Sequence, residues 1–116
     1  MITVMSDKER KRNIEKLFSQ HSDGLEQATR AAVSRSGVKI ASGVLDRLEE
    51  IRGGIAGLIA EGQYSPSIEA EINGLLAEQK KQFQGFEAAI KTKSIKQVRT
   101  ILGWLLQIDT DLAALI

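Results

Sequence analysis

The chain has 116 residues, 42% of them hydrophobic and 27% charged, and 16 Lys and Arg against 15 Asp and Glu leave a net charge of +1. That length suits one domain over 1–116, and so even a balance creates no global field toward nucleic acid or membrane. The absence of Cys excludes disulfide scaffolds, thiolate metal sites and cysteine nucleophiles, and a single His, His21, excludes a multi-histidine metal site within one chain.

Residues 1–5 read as a disordered leader, and Met5 followed by Ser6-Asp7-Lys8-Glu9 offers an alternative start that would make residues 1–4 dispensable. The charged stretch from Asp7 to Arg12 has no apolar segment after it and so lacks the form of a secretory signal. The longest apolar run, Gly53 to Ala60, is far below the roughly 20 residues that span a bilayer. A cytoplasmic protein without a membrane span is the expectation.

Apolar residues recur with helical period throughout, and no stretch alternates with period two. The first helix is expected over about 7–35, opened by a capping box of Ser6 and Glu9, with Ile14, Phe18, His21, Leu25, Ala28 and Ala32 on one stripe. That phase runs through Ser22-Asp23-Gly24, which favours one long helix over two short ones. Gly37 suits the left-handed residue that ends a helix. A second helix over about 38–61 carries Ala41, Val44, Leu48, Ile51, Ile55 and Leu58. Gly62, then Ser65 as N-cap and Pro66 at the first helical position, mark a stop and a start. The third helix, about 66–90, presents Ile68, Ile72, Leu75, Leu76, Phe83, Phe86 and Ile90. Ser94, with Gln97 three residues on, caps a fourth over about 95–114. Its apolar set is Ile95, Val98, Ile101, Leu102, Trp104, Leu105, Ile108, Leu112 and Ala113. Short links between four amphipathic helices predict an all-α antiparallel bundle, and its leftover faces predict self-association.

Those faces are the candidate sites. On the third helix Ala70, Gly74, Ala77, Gly85 and Ala88 form a small-residue stripe, interrupted by Lys81. Interior Gly costs a helix about 0.8–1 kcal/mol, so either a neighbouring helix approaches there or the face is solvated. Gly43, Gly53, Gly54 and Gly57 likewise leave the apolar stripe of the second helix. The fourth helix has an apolar arc of about 180°, wider than a single core-facing stripe, with Trp104, Ile108 and Leu115 at one edge. Trp104 reads either as a core residue or as a binding anchor. Gly74, Ala77, Gly85, Trp104, Ile108 and Leu115 are the expected partner-binding residues.

His21 occupies a position where Leu would be expected. It reads as a hydrogen-bonded His at a bundle edge, the functional alternative being a register-fixing or pH-sensitive contact. Asp109 and Asp111 form a D-x-D whose members fall on different faces of a helix, which suits no single ion and hints only at a frayed end or a nearby cation. Basic residues cluster at Lys8, Arg10, Lys11, Arg12 and Lys16, and again at Lys80, Lys81, Lys91, Lys93, Lys96 and Arg99. The second set could contact phosphates or an acidic partner if both clusters meet; otherwise both are solvated faces.

No phosphate-binding loop, dinucleotide fingerprint or zinc-protease motif is present. We therefore expect no catalytic residue, cofactor or metal ligand. The hairpin around Leu45–Ile90 resembles coiled segments of flagellins and other exported filament subunits in its helix composition, a likeness that carries no residue across. The leading expectation is a non-enzymatic helical protein–protein interaction module: a small adaptor, inhibitor or chaperone-like protein, prone to homo-oligomerise. The alternatives are a nucleic-acid-associated regulator using clusters 8–16 and 80–99, and an exported or structural assembly subunit.

Overall fold

Four helices account for the chain in a computed structural model that describes residues 6–34 and 37–116, and side chains in the second helix from Ser42 onward. They are α1 (Asp7–Val33), α2 (Gly37–Ala60), α3 (Pro66–Lys91) and α4 (Ile95–Leu115). The expected leader falls on residues 1–5, outside the described residues. No strand occurs among the described residues.

Successive helices run antiparallel and close a ring: α1 packs tightly on α2, α3 on α4, α1 also on α4, while α2 touches α3 least. The bundle measures 50 × 31 × 16 Å. Its core has two halves. Toward the α3–α4 turn, Leu25, Ala28, Leu45, Leu48, Phe83, Phe86, Ala89, Ile90, Val98 and Leu105 pack together. Toward the α2–α3 link, Ile14, Phe18, Ile51, Ile55, Ile59, Ile72, Ile108 and Leu112 form the other half. Burying each Leu, Ile or Phe contributes about 1.5–3 kcal/mol, which is what holds four otherwise marginal helices. On α2 the core takes Leu45 and Ile59, leaving the expected Val44 and Leu58 half-buried. Ile95, expected in the α4 core set, is exposed.

The punctuation is only partly as the sequence suggested. Ser6 Oγ accepts the Glu9 N–H at 3.2 Å and Ser65 Oγ accepts the Ile68 N–H at 3.4 Å, with Pro66 opening α3. Ser94 makes no side-chain cap bond. Gly37 begins α2 instead of ending α1, and no described glycine has positive φ. The left-handed residue is Lys93, at φ 56°. Beyond α3, Lys93 N–H donates to the Ile90 carbonyl at 3.1 Å and Ser94 N–H to the Ala89 carbonyl at 2.9 Å, the paired bonds of a Schellman turn. A Cβ in that conformation is strained, so Lys93→Gly is expected to raise stability by about 1 kcal/mol, read as a higher denaturation midpoint at unchanged slope.

α1 passes unbroken through Gly24 because the glycine lies where α1 and α2 come close: a Cβ there would stand 2.7 Å from Leu48 Cδ2. Leu48 is fully buried, and its Cδ2 must shift for a Cβ to fit. Overpacking of this kind costs about 1–3 kcal/mol, against a gain of about 1 kcal/mol in helix propensity. Gly24→Ala is therefore expected to lower stability by roughly 1 kcal/mol, measured by urea denaturation.

At the far end Arg10 is buried, where the sequence suggested a solvated basic cluster. Its guanidinium donates to Tyr64 Oη at 2.7 Å and lies 5.5 Å from that ring's centroid. Asp7 sits 3.5 Å away. The Tyr64 hydrogen bond raises the Arg10 pKa above its ordinary value, with burial opposing it. Gly62 makes the contact possible, because a Cβ at that position would collide with the guanidinium. Arg10 thus fastens the start of α1 to the α2–α3 link.

Candidate functional site

Two places stand out, one on the surface and one in the core. The surface feature is the outer groove between α3 and α4. Helical spacing puts Glu71, Leu75, Glu78 and Gln82 of α3 along one wall. Trp104, Gln107, Asp111, Ala114 and Leu115 of α4 line the other, with Ile108 between them. Trp104 is 55% exposed, the most exposed large hydrophobic among the described residues. Gly103 beside it has nothing within 4 Å of where a Cβ would stand.

The six expected partner residues divide. Trp104 and the half-buried Leu115 line this groove. Ile108 does not project from it: it is buried, packed in the lower core half beneath Trp104. Gly85 does not present a free face either, since a Cβ there would meet Ile101 Cδ1 of α4 at 3.5 Å. Gly74 and Ala77 are exposed on the neighbouring solvent face of α3, and nothing lies within 4 Å of a Gly74 Cβ. The small-residue stripe is therefore split between a helix contact at Gly85 and open surface at Gly74.

Lys80, Lys81, Lys91, Lys93, Lys96 and Arg99 are all exposed, and Lys91 Nζ pairs with Glu87 at 3.1 Å. Lys91, Lys93, Lys96 and Arg99 surround the α3–α4 turn, while Lys80 and Lys81 follow Gln79 at the middle of α3. Lys8, Lys11, Arg12 and Lys16 lie at the start of α1, which Arg10 ties to the α2–α3 link. The residues at the α3–α4 turn and those at the start of α1 are at opposite ends of the bundle, so these two groups do not meet.

The core feature is a polar layer between the two apolar halves. His21 Nδ1 lies 2.5 Å from Asp109 Oδ2, and Gln79 Nε2 donates to Asp109 Oδ1 at 2.6 Å. His21 and Gln79 are fully buried and Asp109 is 4% exposed. A carboxylate only accepts, so the Nδ1 position of the ring carries the shared proton and Asp109 receives two donors from two other helices. His21 is thus not at a bundle edge. Asp111 is exposed and bonded to Gln107, which confirms that the two acids of the D-x-D part company. Gln79 was not singled out by sequence, although it sits in the α3 stripe between Leu76 and Phe83.

Sealed from solvent, this layer has no substrate access and reads as architecture. Among the described residues no group of three or more His, Asp or Glu could hold a metal ion, and no helix is long and apolar enough to cross a membrane. No protein-family model, curated protein or solved structure matches the chain.

Proposed function

We propose that the chain is a non-enzymatic protein-binding module that docks a protein partner on the outer α3/α4 groove, with Trp104 as its anchor. The observation that carries this reading is the 55% exposure of Trp104 on a well-packed helix. Water-exposed indole is unfavourable, and Trp is among the residue types most enriched where binding energy concentrates. Flanking Glu78, Gln82 and Gln107 supply the polar rim such anchors commonly have. Trp104→Ala removes a side chain that the bundle uses little, so it is expected to leave the melting temperature nearly unchanged. Proteins retained by the tagged wild-type chain should be lost from the variant. Retention of the same set by both would sink the reading.

The nucleic-acid reading is weakened because the basic residues at the α3–α4 turn and those at the start of α1 lie at opposite ends of the bundle. A salt titration against duplex and single strands is expected to show no salt-dependent affinity at low ionic strength.

A further inference from the structure

We propose that the occupant of this groove is a second copy of the same chain, paired α4 against α4 in antiparallel orientation about a two-fold axis between Gly103 and Trp104. The proposal rests on the protein-docking reading and names its partner.

The exposed residues of α4 that carry it are Lys96, Thr100, Gly103, Trp104, Gln107 and Asp111. Their spacing is 4-3-1-3-4, a palindrome centred between residues 103 and 104. At about 100° per residue all six fall within an arc of about 100°, and the exposed Ala114 continues that face by one turn beyond them. Turning a second copy through a two-fold axis at that centre sets Lys96 opposite Asp111, Thr100 opposite Gln107, and Gly103 opposite Trp104. Each pairing is chemically matched. Ammonium meets carboxylate, hydroxyl meets amide, and each indole lies over the bare backbone of the other copy's Gly103, where nothing stands within 4 Å of a Cβ position.

The surroundings agree with that orientation. Glu71 lines the groove with Asp111 and Glu78 lines it with Trp104, so the C-terminal half of the α4 face is acidic. The N-terminal half carries Lys96, close to the basic α3–α4 turn. Antiparallel pairing joins unlike halves, whereas a parallel pair would set Lys96 on Lys96 and Asp111 on Asp111. Antiparallel helix dipoles also attract. An isologous contact closes on itself and leaves no free end for a filament. From Lys96 to Asp111 the face spans about 22 Å of helix, which places the contact at the small end of specific interfaces and the association in the micromolar range.

Sedimentation equilibrium from micromolar to millimolar protein should show a mass rising from 12.7 kDa to twice that value. The sole tryptophan is Trp104, so its emission should shift to the blue over the same range. Trp104→Ala should weaken pairing by at least about tenfold at unchanged helicity. Gly103→Ala should raise the thermal midpoint of dilute monomer yet weaken pairing, which a purely structural glycine would not do. Lys96→Glu and Asp111→Lys should each weaken pairing by about threefold or more, and the double variant should restore it.

Register is read by cross-linking in this cysteine-free chain. Thr100→Cys mixed with Gln107→Cys should form a mixed disulfide, while neither alone should cross-link to itself. Self-cross-linking of each variant would mean parallel pairing and overturn the proposal. A strictly monomeric chain at millimolar concentration would also overturn it. If that monomer still loses a different partner on Trp104→Ala, only self-pairing fails; if it loses nothing, the docking reading fails with it.

Discussion

Asp109→Ala should remove about 3–5 kcal/mol of stability, a large part of the roughly 5–15 kcal/mol that holds a domain together. The carboxylate is the hub of the buried layer, taking His21 Nδ1 on Oδ2 at 2.5 Å and Gln79 Nε2 on Oδ1 at 2.6 Å. Truncation leaves an imidazole and an amide with no exposure to water and no acceptor. Buried α2 residues offer no substitute, since Leu45, Leu48, Ile51, Ile55 and Ile59 are all aliphatic. Each stranded donor costs about 1–3 kcal/mol, and the cavity adds to that. Asp109→Asn should cost less, because the amide still offers one acceptor. Urea denaturation at constant slope is the measurement. A loss below about 1 kcal/mol for Asp109→Ala would mean that the three side chains are not joined in solution.

The same layer shows how far the sequence could be read. Four helices, their antiparallel order and the passage of α1 through Gly24 followed from the apolar period and from Ser65-Pro66, because these signals are local to each element. His21 was visible as a polar residue on an apolar stripe. Gln79 and Asp109 occupy equivalent places, Gln79 between Leu76 and Phe83, Asp109 between Leu105 and Leu112. A period can show that each helix has one polar slot. It cannot show that the three slots meet at one level, since that depends on how the helices slide against one another. The wide arc of α4 posed the same difficulty: where α3 packs decides that Ile108 is buried and Trp104 is left out. Gly85 belonged to a helix contact for that reason too. The Schellman turn was hidden for another, because its left-handed position holds Lys93 and not the glycine that normally advertises it.

Replacing the whole layer should have the opposite sign to removing its hub. A His21→Leu, Gln79→Leu, Asp109→Val triple variant fuses the two apolar core halves and removes every group of the layer whose burial needs a partner. Buried polar clusters replaced by apolar residues of similar volume commonly gain about 1–4 kcal/mol, because desolvating the ionic and amide groups costs more than their mutual attraction returns. Denaturation of the triple variant is therefore expected to show a gain, even though Asp109→Ala alone shows a large loss. The expected penalty is in uniqueness. A carboxylate that must meet donors from α1 and α3 fits one axial alignment of α4, whereas an uninterrupted aliphatic core tolerates a slide of one turn, about 5.4 Å. The wild-type chain should give one set of amide resonances, and the triple variant broadened or duplicated ones for residues of α3 and α4. A triple variant less stable than wild type would identify the layer as a net source of stability. A more stable one with a single sharp set would show that apolar packing alone aligns the bundle.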